Sequence, residues 1–68
     1  MEVKVTGINT SPVKLVGEIT LEASDVREAL RTARRDHFAA SIYHASYTDE
    51  HGNVAGIAAG WDNRYIFD

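Results

Sequence analysis

At Ser24-Asp25 the apolar spacing of this chain changes from every second residue to every third or fourth, and that change limits the folds open to it. Before the switch, EVKVTGI alternates Val3 and Val5 against Glu2, Lys4 and Thr6, the period of a half-buried strand. Asn9-Thr10-Ser11-Pro12 reads as a turn. VKLVGEITL then alternates again, with Val13, Leu15, Ile19 and Leu21 expected on one face and Lys14, Glu18 and Thr20 on the other. Gly17 interrupts the apolar face, as a bulge or a close approach would require. The two runs predict an antiparallel hairpin.

After the switch, Asp25 followed three residues later by Glu28 has the form of a capping box. At about 100° per residue, Val26, Ala29, Leu30, Ala33 and His37 fall on one face. Phe38 falls off it, so the helix is expected to end near Asp36 or His37. SIYHASYT (41–48) reads as a strand, 49–53 as a hairpin loop with a residue suited to positive φ, and VAGIAAGW as a strand of small residues. Asp62-Asn63 would turn the chain back through RYIFD, setting Tyr65 over Gly60. The expected order is ββαβββ. This is an α+β fold, an antiparallel sheet of four to five strands with one helix on one face and 54–61 as a central strand.

Sixty-eight residues leave room for one domain, 1–68, with a thin core. The absence of cysteine fits a reducing compartment, and no apolar run is long enough to span a bilayer. The expectation is a soluble cytoplasmic protein with no membrane contact. Formal charge is −3, unevenly distributed: residues 27–35 hold four arginines and one glutamate, while the rest holds three basic residues against nine acids. An acidic chain is a poor candidate for nonspecific nucleic-acid binding.

His37, His44 and His51 recur at intervals of seven, with Asp36, Asp49 and Glu50 nearby. That spacing guarantees no convergence on a metal, and the three fall on a helix end, a strand and a hairpin tip. No metal site and no cofactor are expected. His37 is expected to point coreward, as packing or as a cap. Nor is there a cysteine nucleophile, a G-x-S-x-G, a P-loop or a fixed carboxylate pair. The chain is not expected to be an enzyme, and no catalytic residue is assigned.

Candidate partner-binding residues remain. Arg27, Arg31, Arg34 and Arg35 form one contiguous flank of the helix, either as solvated helix formers or as contacts for phosphates or an acidic surface. Tyr43 and Tyr47 share a strand face. One helix covers only one side of a sheet, so several of Tyr43, Tyr47, Trp61, Tyr65 and Phe67 are expected on the open side. There they would serve as cross-strand packing or as an exposed recognition patch. Asp49 and Glu50 form an acidic hairpin tip, a solvated turn or a dock for a basic surface.

From EVKVTGI through SDVREALRTARR to GWDNRYIFD, the layout of hairpin, capped helix and terminal meander resembles small phage-encoded anti-CRISPR proteins that act on type I systems. The resemblance is one of layout and carries no functional residue over. It implies a non-enzymatic inhibitor, in the host cytoplasm, that covers a surface of a CRISPR effector complex. Three expectations follow: a small protein that occludes a partner protein, a nucleic-acid-binding module using the arginine flank, and a homodimer formed through the open sheet face.

Overall fold

The computed structural model describes residues 1–60. They form β1 (Glu2–Thr10), β2 (Val13–Glu22), α1 (Val26–Asp36), β3 (Ile42–Thr48) and β4 (Val54–Gly60). The four strands make one antiparallel sheet, ordered β2-β1-β3-β4, with the helix on one face. The fold is α+β, as the period change predicts. The suggested fifth strand, the Asp62-Asn63 turn and the Tyr65–Gly60 pairing lie outside the described residues. No helix among the described residues is long and apolar enough to cross a membrane.

β1 and β2 form the expected hairpin, joined at Ser11-Pro12 through a cis peptide bond. The register is regular from Glu2↔Glu22 to Gly7↔Gly17, then jumps to Ile8↔Leu15. Val16 is therefore one residue extra in β2, a bulge beside the glycine that interrupts the pattern. Its effect on the faces is large. Ile19 and Leu21 pack toward the helix opposite Val5 and Val3, whereas Leu15 pairs with Ile8 on the other side of the sheet. The single apolar face expected for Val13, Leu15, Ile19 and Leu21 is thus divided in two. A period of two cannot survive an inserted residue.

The helix starts as its sequence directs. Asp25 is the N-cap and its Oδ1 accepts the Glu28 N–H at 2.8 Å, while the Glu28 carboxylate takes the Ser24 hydroxyl rather than closing the box on Asp25. Glu28 lies in the first turn and Arg34 and Arg35 in the last, the arrangement the helix dipole favours. Ala29, Leu30 and Ala33 are fully buried, and only Leu30 among them is large. Small residues on the inner stripe let the helix lie close to a sheet that itself offers Ala45 and Gly7. His37 is the C-cap, its N–H bonded to Ala33 O at 3.0 Å, but its side chain is exposed instead of pointing coreward. The helical angle stops applying one residue past the last helical one, and Phe38 is the residue that turns inward.

Phe38 fills a slot made by two glycines. Gly7 and Gly17 face each other across the β1–β2 ladder, and a Cβ on either would lie 2.4 Å or 2.7 Å from the phenyl ring. The ring also stacks on Tyr43, with centroids 5.8 Å apart and planes within 12°. Tyr43 is fully buried. Its hydroxyl donates to Phe38 O (2.8 Å) and accepts from the Ala40 N–H (2.9 Å), so one phenol satisfies two backbone groups of the partly buried return from helix to sheet. Asn9 Oδ1 fixes the end of that return by accepting the Ser41 N–H at 3.1 Å.

β2 and β3 both run antiparallel to β1 and so are parallel to each other, with β1 between them. The helix makes that connection as the crossover of a split β-α-β unit. The core is one layer: Val3, Val5, Tyr43 and Ala45 from the two inner strands against Ala29, Leu30 and Ala33. β4 is the outer strand of the described sheet, with Val54, Gly56 and Ala58 exposed; the neighbour that would make it central falls outside the described residues. The continuous apolar character of β4 comes from alanine and glycine, which lose little by facing water.

Candidate docking surface

The residues singled out from sequence fall into three places, and the structure does not bring them together. Tyr43 and Tyr47 share a face as expected, but it is the helix-covered face. Tyr47 sits opposite Val3 and packs at the margin of the core, and Tyr43 lies within it. Neither forms an exposed patch on the open side, and Tyr43 in particular is out of reach of a partner. One helix covers one face, and the tyrosines are part of what it covers. Trp61, Tyr65 and Phe67 lie outside the described residues.

Asp49 and Glu50 occupy the β3–β4 loop. Asp49 Oδ1 accepts the His51 and Asn53 N–H groups, both at 2.9 Å, and Gly52 adopts the expected positive φ of 83°. Asp49 is therefore an Asx-turn residue that shapes its own loop. Glu50 is exposed, with His51 Nε2 3.5 Å from its carboxylate.

On the helix, Arg31 and Arg35 are exposed, whereas Arg27 and Arg34 are half-buried and, like Arg31, have interactions of their own within the molecule. The Arg35 guanidinium forks onto Asp36, Nε to Oδ1 at 3.0 Å and Nη2 to Oδ2 at 2.9 Å. That hydrogen bonding, reinforced by the opposite charges, lowers the Asp36 carboxyl below its ordinary range and raises Arg35. A guanidinium held this way commits two of its five N–H donors and has its charge partly neutralised.

The three histidines diverge. His37 caps the helix, His51 is on the loop, and His44 lies on the open sheet face between Thr6 and Ala58, its ring against Gly56. Among the described residues, no three histidines, cysteines or carboxylates come together as metal ligands.

What sequence reasoning missed is the character of the open face. It carries Glu2, Lys4, Thr6 and Ile8 from β1, Glu18, Thr20 and Glu22 from β2, and Ile42, His44 and Ser46 from β3. At its acidic end Lys4 Nζ is 3.3 Å from Glu18 Oε1. At the other end the bulge delivers Val13 and Leu15, 80% and 60% exposed, beside half-buried Ile8 and Ile42. Val54, 79% exposed, stands on the β4 side of the same face. A shallow groove of about 200 Å³ runs there between Glu2, Lys4, Ser46, Tyr47, Thr48 and Val54. Gly17 is the sequence signal that could have revealed this, because a bulge at a strand glycine reassigns every residue before it.

Comparison with protein-family models, with curated proteins and with solved structures finds no match to this chain.

Proposed function

We propose that this chain is a small, non-enzymatic protein-binding module that docks through the open face of its sheet and acts by covering a surface of its partner. The observation that carries the reading is the placement of Val13 and Leu15. Both are large aliphatic side chains put in water by a bulge, beside Ile8 and Ile42, on the face the helix leaves bare, whereas exposed Val54 stands at the far corner of that face. Clustered exposed apolar groups rimmed by polar ones are the usual mark of a protein contact. The same face carries Glu2, Glu18 and Glu22 against Lys4, a balance that repels phosphates. On the helix, the Asp36 carboxylate partly offsets the charge of Arg35, which disfavours the nucleic-acid reading of that flank.

The test replaces Val13 and Leu15 together with serine. Both residues are exposed, so the variant should fold with stability within about 0.5 kcal/mol of the parent. A partner retained by the parent should be lost by the variant and kept by an Arg31→Ser control. Equal retention by all three proteins sinks the open face as the docking surface. The narrower expectation, inhibition of a type I CRISPR effector, has its own assay. Cells with an active type I system should lose interference when they express the parent chain and regain it with the V13S/L15S variant. Undiminished interference in the presence of the parent removes that partner.

A further inference from the structure

The outer edge of β2 is a separate surface from the open face. β2 pairs with β1 on one side and, among the described residues, with nothing on the other. Beyond the bulge, residues 17–22 run in unbroken register with residues 2–7. Alternate residues of such a strand turn their N–H and C=O outward, and that row of groups suits one occupant, another extended backbone.

The flanking side chains say what kind of strand fits. On the helix side, Ile19 and Leu21 are only half-buried, packed on the core but open at the sheet margin. On the other side stand Glu18 and Glu22 with Thr20 between them, Glu22 sharing its Oε1 with the Met1 amino group at 2.8 Å. β1 demonstrates which pattern satisfies this strand. It sets Val3 and Val5 against Leu21 and Ile19, and between them Lys4, whose ammonium reaches Glu18. A second copy of β2 does not fit, because its own Glu18 and Glu22 would enter the same row as these two, like charge against like.

We propose that residues 17–22 of β2 accept an extended segment of a partner protein, one that alternates aliphatic residues with lysine or arginine. The aliphatic side chains would continue the core layer past Ile19 and Leu21, and the cations would meet Glu18 and Glu22. The backbone ladder supplies attachment and the alternation supplies selectivity.

The probe is an acetylated, amidated heptapeptide of alternating lysine and valine, followed by amide shifts and amide exchange in the full chain. Binding should shift the amides of residues 17–22, protect those whose N–H groups point outward, and leave the amide shifts of the helix unchanged. Methylating the peptide's backbone nitrogens at every second residue should abolish binding in one phase of the alternation and spare it in the other. Only a strand-to-strand ladder makes that distinction. A peptide with glutamate for lysine should not bind, and Glu18→Gln with Glu22→Gln should weaken the parent peptide about threefold to tenfold. Equal binding of both methylated phases, shifts confined to other surfaces, or no shift at millimolar peptide overturns the proposal. The V13S/L15S variant should bind the peptide normally, so failure here and failure of the open-face reading can be told apart.

Discussion

Tyr43 shows how much one side chain can be responsible for in a thin core. Its ring stacks on Phe38 and its hydroxyl serves both Phe38 O and the Ala40 N–H in a partly buried place. Tyr43→Phe keeps the ring and strands those two backbone groups, which should cost about 1–3 kcal/mol. Urea denaturation should show a lower midpoint with an unchanged slope. Gly7 makes the complementary case, since a Cβ there meets Phe38 Cε2 at 2.4 Å. Gly7→Ala should cost about 1–3 kcal/mol in the parent and distinctly less in a Phe38→Ala background, where the ring is gone and only the Ala40 Cβ, 3.0 Å away, still crowds the site. A double-mutant cycle by denaturation reads that coupling, and simple additivity would refute the slot. Neither role was legible from sequence. The tyrosine looked like a surface aromatic because β-strand alternation says which residues share a face but not which face the helix covers.

At the scale of elements, the best-signalled feature is the helix start. Asp25→Ala removes the acceptor of the Glu28 N–H and should cost about 1 kcal/mol, measurable as a fall in thermal midpoint of several degrees for a domain this small. The helix end is anchored differently. Because the Asp36 carboxyl is depressed in the folded chain, its pairing with Arg35 contributes above the unfolded carboxylate pKa of about 3.9 and fades as pH falls through the lower folded value. Physiological pH therefore leaves this pair untouched. Helix boundaries and the hairpin could be read because caps, turn residues and apolar period are local signals. The inward turn of Phe38 and the outward exposure of His37 could not, since both depend on where the sheet lies beneath the helix end. The strand faces of β2 were half legible: the register is sound from Glu2 to Gly7, and one extra residue at Val16 undoes the assignment for everything before it.

For the molecule as a whole, the division is between a covered face that uses its aromatics to build the core and an open face that keeps aliphatics in water. The two proposed contact surfaces meet along β2, which contributes Val13 and Leu15 to the face and residues 17–22 to the edge. The two-glycine slot has a consequence for how such a chain opens. Phe38 lies two residues beyond the helix and seats on the β1–β2 hairpin, so neither unit can detach without withdrawing the ring. Hairpin and helix should therefore open as one cooperative unit, with coincident amide exchange free energies across α1 and β1–β2. Phe38→Ala should split that unit, letting the helix amides exchange through a separate, cheaper opening while the hairpin stays closed. Native-state exchange that remained coincident in the variant would place the coupling elsewhere in the core.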